Sequence, residues 1–351
     1  MVNETGWFRS STFGPALMPL ALVLASAGCH DVTEYSSEGQ VGVAVVDRSG
    51  MTVEGVIKGF EGGRAICSVG GDNFIVSSNR GRLYWGDAEE LTIENMYTVG
   101  LPFSSGYGSI APGASSVYVI GGYGKILQFS LYSRTVIDEF EAGPMPAMLC
   151  RACFAPYIYV ADGQEPVVRE VWMSDNTVHA ELELPIPTTS LTTCMPLDTL
   201  GLPVDSVLIA ASRMEPLVYY LRPFSGMSPL PETLLVPVSD ADALQDSSLF
   251  YLAHRDFGEG GRVTRLSLSG GMAPGFEEQG VELEGSVNCI CVDETFGLLY
   301  AACYGSGVTR IYEIDALDDM QVLRSVDLDG YAWDMTLQGT FGQRLLVLTT
   351  E

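Results

Sequence analysis

A run of about five β-favouring, mostly apolar residues returns seven times along this chain. The runs are Phe74–Ser78, Val117–Gly121, Ile158–Asp162, Val207–Ala211, Phe250–His254, Leu299–Cys303 and Leu346–Thr350. Their central residues are 76, 119, 160, 209, 252, 301 and 348, so the spacings are 43, 41, 49, 43, 49 and 47. A period this even marks a repeat architecture, because an irregular sandwich has no reason to space its strands regularly. Most runs are followed by a turn and a second strand, as in Leu83–Trp85, Ile126–Phe129, Leu217–Tyr220, Val263–Leu266 and Val308–Tyr312. A more exposed strand ends most repeats, most clearly Val322–Leu328. Four short strands per repeat build one blade of a β-propeller.

The two ends complete the ring. Residues 332–350 hold two strands, and residues 41–60 hold two more. Two plus two makes one composite blade, which hides the edges that would otherwise pair with other chains. The reading is an all-β, seven-bladed propeller over residues 40–351, its last blade closed by N- and C-terminal strands. Rings of six or eight blades are the alternatives, and the longer, proline-rich stretch 189–285 fixes its blade boundaries least sharply.

The repeats resemble the bacterial YVTN and LVIVD propeller families. The best match runs from Leu298-Leu299-Tyr300-Ala301-Ala302 through Val308–Asp315 to Asp329-Gly330-Tyr331-Ala332-Trp333-Asp334, with Ile158–Asp162 a looser copy. The resemblance implies the fold. It implies no single activity, because these families share none.

The N-terminus reads as an export signal over residues 1–28. Arg9 supplies positive charge, and Pro15–Gly28 is almost wholly apolar or small. The run Leu24-Ala25-Ser26-Ala27-Gly28-Cys29 resembles a bacterial lipobox, with Ser26 where Leu is usual. That resemblance implies cleavage before Cys29 and lipidation of its thiol. Residues 29–39 then form a polar tether, and the expected location is the bacterial cell envelope, lipid-anchored.

Charge narrows the partners. The chain carries 44 acidic against 18 basic residues, a net charge of −26. Nucleic acid is excluded as a natural partner, since neutralising phosphates needs clustered Lys and Arg. The charge also keeps a hydrophobic exported chain soluble. The expected partners are the membrane, through the lipid, and an envelope protein or extracellular ligand.

Lipidating Cys29 leaves seven cysteines, Cys67, Cys150, Cys153, Cys194, Cys289, Cys291 and Cys303, so at least one thiol stays unpaired. Most fall on the first strands of repeats, where space near the axis is tight and a small apolar residue fits. A disulfide such as Cys150–Cys153 is the alternative.

In a four-stranded antiparallel blade the second-to-third and fourth-to-first connections emerge on one face, around a central depression. Candidate binding residues there are Arg80, Tyr123, Asp162, Arg213, Glu215, His254, Arg255, Asp256, Tyr304 and Trp333. His254-Arg255-Asp256 is the most reactive-looking group, yet no nucleophile stands at a recognisable spacing from it. Ser239-Asp240-Ala241-Asp242 with Asp246 lacks the glycine and closing glutamate of an EF-hand and reads as a solvated loop. Asp315, Asp318 and Asp319 read as turn residues. There is no Walker loop, no dinucleotide-binding glycine motif, no Gly-x-Ser-x-Gly elbow and no His-Glu-x-x-His. No catalytic residue, metal ligand or cofactor is assigned. The leading reading is a non-catalytic binding or scaffold module. A lactonase-like or quinoprotein-like propeller enzyme and a structural component of a surface layer or envelope assembly are the alternatives.

Overall fold

A computed structural model of the chain describes residues 40–350, apart from 100–108, 123, 153–155, 196–206, 222–229, 235, 245–246, 258–259, 270–274 and 339–341. The side chains of 220–221, 230–232, 256–257, 268–269 and 275–278 also lie outside the description. The described strands are β1 (Val41–Asp47) and β2 (Thr52–Lys58); β3 (Gly63–Gly70), β4 (Asn73–Ser78), β5 (Arg82–Asp87) and β6 (Thr92–Thr98); β7 (Ile110–Pro112), β8 (Ser116–Ile120), β9 (Lys125–Ser130) and β10 (Val136–Glu141); β11 (Pro146–Arg151), β12 (Tyr157–Asp162), β13 (Val167–Trp172) and β14 (Thr177–Glu183). They continue with β15 (Ser190–Cys194), β16 (Val207–Ala211), β17 (Leu217–Leu221) and β18 (Leu230–Thr233); β19 (Asp240–Ala243), β20 (Leu249–Phe257), β21 (Gly260–Ser269) and β22 (Gly275–Leu283); β23 (Ser286–Asp293), β24 (Leu298–Gly305), β25 (Val308–Asp315) and β26 (Val322–Asp329); and β27 (Tyr331–Gln338) with β28 (Arg344–Thr350).

These strands form seven four-stranded antiparallel sheets. Six use consecutive strands, from β3–β6 to β23–β26, and the seventh has the order β2-β1-β28-β27. The fold is a seven-bladed β-propeller, and the seventh blade is the composite one. Its two halves meet with Val43 opposite Leu348 and Ala44 opposite Val347. Strands β3, β7, β11, β15, β19, β23 and β27 face one another around the axis.

Position in the blade explains the strand sequences. The second strands are packed between neighbouring blades on both faces, so they are continuously apolar. Val207–Ala211 is buried at every position. A tyrosine recurs at the third position of four of them, Tyr118, Tyr159, Tyr251 and Tyr300, each fully buried. A buried phenol needs a hydrogen-bond partner. Tyr251 donates to the Ala316 carbonyl at 2.8 Å, and Tyr159 and Tyr300 donate to Glu170 and Glu313 on the next strand at 3.3 and 3.0 Å. The fourth strands have one unpaired edge. Val136–Glu141 is exposed at five of its six positions and carries three acids, and such charge opposes edge-to-edge pairing.

The inner strands are tied across blades by side chains. Asp240 accepts from the Ile290 amide at 2.9 Å, Asp242 from Val292 at 2.8 Å, and Asp334 from Ile66 at 2.9 Å. The second oxygen of each accepts from the following residue of its own strand, Ala241, Ala243 or Met335. Ser109 repeats the device, accepting from Leu149 N at 3.0 Å. Asp240 and Asp242 are therefore wall residues of the channel and not part of a solvated loop. In β19 they alternate with Ala241 and Ala243, which face the core. Asp315 does close a turn, accepting from the Leu317 and Asp318 amides at 3.0 Å.

Burial overrides these hydrogen bonds and raises all three carboxyls, Asp242 and Asp334 to about 7 from 3.8. A carboxyl that releases its proton near pH 4 when unfolded but near pH 7 when folded makes the unfolded state bind fewer protons between those values. Stability then falls as pH rises through that window, and the loss is complete above it. Full burial would set a ceiling of about 4 kcal/mol per group at about 1.4 kcal/mol per pH unit. Access from the channel reduces this to about 1–2 kcal/mol each. The melting temperature is expected to drop by several degrees from pH 5 to pH 8, and Asp334→Asn to flatten the profile. Calorimetric scans across pH check this; equal slopes in wild type and variant would refute it.

Six described cysteines stand outside any disulfide: Cys67, Cys150, Cys194, Cys289, Cys291 and Cys303. Five lie on inner strands, as expected for small residues near the axis. Burial pushes Cys67 up to about 12, so it is protonated and inert in the fold. Cys153 lies outside the described residues.

Candidate binding site at the channel mouth

Four inner strands carry a bulge near their start, where they leave the fourth-to-first connection. The register skips Arg64 in β3, Ala147 in β11, Asn288 in β23 and Trp333 in β27. A bulge frees one residue from the alternation and re-aims its side chain. Two of these residues meet. The Arg64 guanidinium lies 4.3 Å from the centroid of the Trp333 ring.

The cluster extends across neighbouring blades. Trp333 packs edge-on against Tyr331 at 4.9 Å, and Tyr331 against Tyr304 at 5.2 Å. Arg255, near the end of β20, donates to the Tyr331 hydroxyl at 2.6 Å. Three rings and two guanidiniums thus come from β20, β24, β27 and β3, all on the face of the second-to-third connections.

The supporting contacts are specific. Thr309 is fully buried; its hydroxyl donates to the Gly330 carbonyl at 2.6 Å and accepts from the Ala332 amide at 3.1 Å, which brackets Tyr331. Trp333 Nε1 donates to Thr350 Oγ1 at 2.6 Å. Gly285 lies against the end of β24 with φ +83°. A Cβ there would stand 2.7 Å from the Tyr304 carbonyl oxygen, so only glycine lets the two backbones approach.

Among the described residues Arg64 and Arg255 have no acid partner, although the chain has more than two acids per base. Desolvation lowers the Arg64 pKa with no carboxylate offsetting it. The Nε atoms of both arginines and the Nδ2 of Asn288, 4% exposed, are buried without a hydrogen-bond partner. Such groups carry an uncompensated desolvation cost, which is a recurrent feature of functional sites.

The other candidate residues lie elsewhere. Asp162 is fully buried and organises its turn, accepting from the amides of Met145, Gln164 and Glu165 and from Arg169. His254 is 2% exposed and donates from Nδ1 to the Pro237 carbonyl at 3.1 Å, a contact that fixes the tautomer and holds the loop before β19. Arg213 bridges to the Ser239 carbonyl at 2.9 Å. Arg80 is exposed and pairs with Glu61 at 3.3 Å. Glu215 is exposed on its turn. Tyr123 and the Asp256 side chain lie outside the described residues. Of the sequence candidates, Arg255, Tyr304 and Trp333 come together. Arg64 and Tyr331 were missed, Arg64 because a bulge is invisible in an apolar–polar alternation.

Among the described residues, no group of three or more His, Cys, Asp or Glu is arranged to hold a metal ion. No family model matches the chain, and no curated protein matches it. Solved structures do. The chain is similar to hydrazine synthase of Kuenenia stuttgartiensis, with a TM-score of 0.63 at 13% identity over 82% of this chain and 96% of that one. It is similar to U3-55K, with 0.64 at 10% over 88% and 98%. The RRP9 WD40 repeats give 0.63 at 9% over 90% and 99%. At such identities the likeness shows the fold alone, a β-propeller.

Proposed function

We propose that this chain is a non-catalytic binding module of the bacterial cell envelope, tethered through Cys29, and that its partner docks on the channel mouth. The observation that carries this reading is the convergence of Trp333, Tyr331, Tyr304, Arg255 and Arg64 at one end of the axis. Tryptophan, tyrosine and arginine are the side chains that dominate binding energy at protein interfaces. Here they sit on a rigid blade framework, which limits the ordering cost of association. Two guanidiniums with no acid partner among the described residues suit a partner segment that presents carboxylates with an apolar body. The tether and the envelope location rest on Leu24–Cys29 and on the likeness of residues 298–334 to YVTN and LVIVD repeats.

The test is capture from detergent-solubilised membranes, with wild type and the double variant Trp333→Ala/Arg255→Ala compared side by side. Hot-spot truncations cost about 2 kcal/mol or more each, so the double variant is expected to lose affinity at least about a hundredfold. A Cys29→Ser chain is expected in the soluble fraction with its binding intact. Equal capture by the double variant would refute the docking site, and membrane retention of Cys29→Ser would refute the tether.

A further inference from the structure

The ring closure also fixes where the chain enters the propeller. Strand β1 starts at Val41, opposite Thr350, and Thr350 lies opposite Tyr331. The Thr350 hydroxyl is also the acceptor of the Trp333 indole. The Val41 carbonyl accepts from the Gly59 and Phe60 amides, both at 3.2 Å, and a Cβ on Gly63 would stand 3.0 Å from Val41 Cγ1. Gly63 directly precedes Arg64. The entry point is therefore set beside the mouth cluster, between the strands that carry Trp333 and Arg64.

From Val41, β1 runs away from the mouth to the β1–β2 turn on the opposite face. Its seven residues span about 20 Å. Outside β1 lies only β2, one strand spacing of about 5 Å farther from the axis. A chain reaching Val41 from the opposite face must climb that wall and cross that strand, a path of about 25–30 Å. Val41 is twelve residues on from Cys29, and such a length reaches at most about 40 Å when fully extended. A mouth turned away from the bilayer consumes most of that reach before the lipid is met, and a mouth turned toward it consumes none. The first arrangement also gives up the conformational freedom of most residues in the connection.

We propose that the mouth is turned toward the membrane, and that its partner is the extramembrane part of a membrane-embedded protein, held within about 40 Å of the bilayer. This rests on the tether and the docking site proposed above. Lipid headgroups are the poorer occupant. The net charge of −26 opposes approach to anionic lipid, and the three rings with two guanidiniums are the side-chain set of protein hot spots. Holding mouth and partner on one membrane raises their effective concentration, so a modest intrinsic affinity suffices.

The test places the full lipidated chain in phosphatidylcholine vesicles that carry an acceptor lipid. A donor dye sits on a bio-orthogonal residue at Arg80, exposed in the β4–β5 turn of the mouth face, or at Tyr132, 89% exposed in the β9–β10 turn of the opposite face. The two faces differ in height by about 20 Å, so energy transfer from position 80 is expected to exceed that from 132 at least about twofold. The variant Trp333→Ala/Arg255→Ala is expected to keep this difference, because the point of attachment sets it. A long Gly/Ser insertion between Gly39 and Gln40 is expected to erase it. A partner crosslinked from position 304 is expected to stay with the membrane through an alkaline carbonate wash. A chain that does not float with the vesicles would remove the tether, and this inference with it. A floating chain with equal or greater transfer from 132 would overturn the orientation alone and leave the docking site standing. Loss of the difference in the double variant would assign the mouth to lipid, and a partner released by carbonate would not be membrane-embedded; either overturns the proposed partner.

Discussion

A chain shortened to end at Gln343 is expected to lose cooperative folding altogether. The deletion removes β28, which lies between β27 and β1 in the composite blade. Leu345, Leu346, Val347 and Leu348 are each fully buried. Burying such a side chain contributes about 1.5–3 kcal/mol, so the four together contribute about 6–12 kcal/mol. That matches the whole net stability of an ordinary domain, about 5–15 kcal/mol. The cut also leaves the facing edges of β1 and β27 unpaired, which invites association with other chains. Circular dichroism and urea titration report the outcome. A cooperative transition within about 1 kcal/mol of wild type would show that the ring does not depend on this strand.

Arg48→Ala is expected to be the most damaging single substitution outside the apolar core, at about 3–5 kcal/mol. Arg48 is 6% exposed and reaches from the β1–β2 turn into the neighbouring blade. It pairs with Asp293, itself 3% exposed, donates from Nε to the Tyr300 hydroxyl at 2.7 Å, and donates to the Gly342 carbonyl. Tyr300 passes the connection to Glu313, which Arg324 holds at 2.7 Å. Truncating Arg48 leaves a buried carboxylate without its cation, and that stranded charge is the source of the cost. The paired replacement Arg48→Met/Asp293→Leu removes both charges and is expected to recover most of the loss. Urea unfolding of the single and double variants checks this. A double variant no more stable than Arg48→Ala would contradict the explanation.

Much of the architecture was legible because second strands are buried on both faces, and burial on both faces writes an uninterrupted apolar run. Tyr118, Tyr159, Tyr251 and Tyr300 fall in such runs at matching places. The two-plus-two count of strands at the ends was equally readable, since each half ends in a turn. The site was legible only in part. Arg255, Tyr304 and Trp333 lie at the ends of clear strands, so their face could be assigned. Arg64 belongs to the site through a bulge, and a bulge changes register without changing composition. Asp162 and His254 illustrate the converse difficulty. A polar residue at the end of an apolar run reads as solvent-facing until its internal partners are known. The Asp162-Gly163-Gln164-Glu165 run did hold a clue, since aspartate often accepts from amides two and three residues on. Asp240 and Asp242 were obscured because their strand has four residues, too few for their alternation with alanine to stand out.

The docking surface can be located by placing a photo-crosslinking residue at Tyr304, on the mouth, or at Leu323, exposed on the outer strand β26. A captured partner is expected to crosslink from position 304 and not from 323. Crosslinks from the outer strand with none from the mouth would contradict the account.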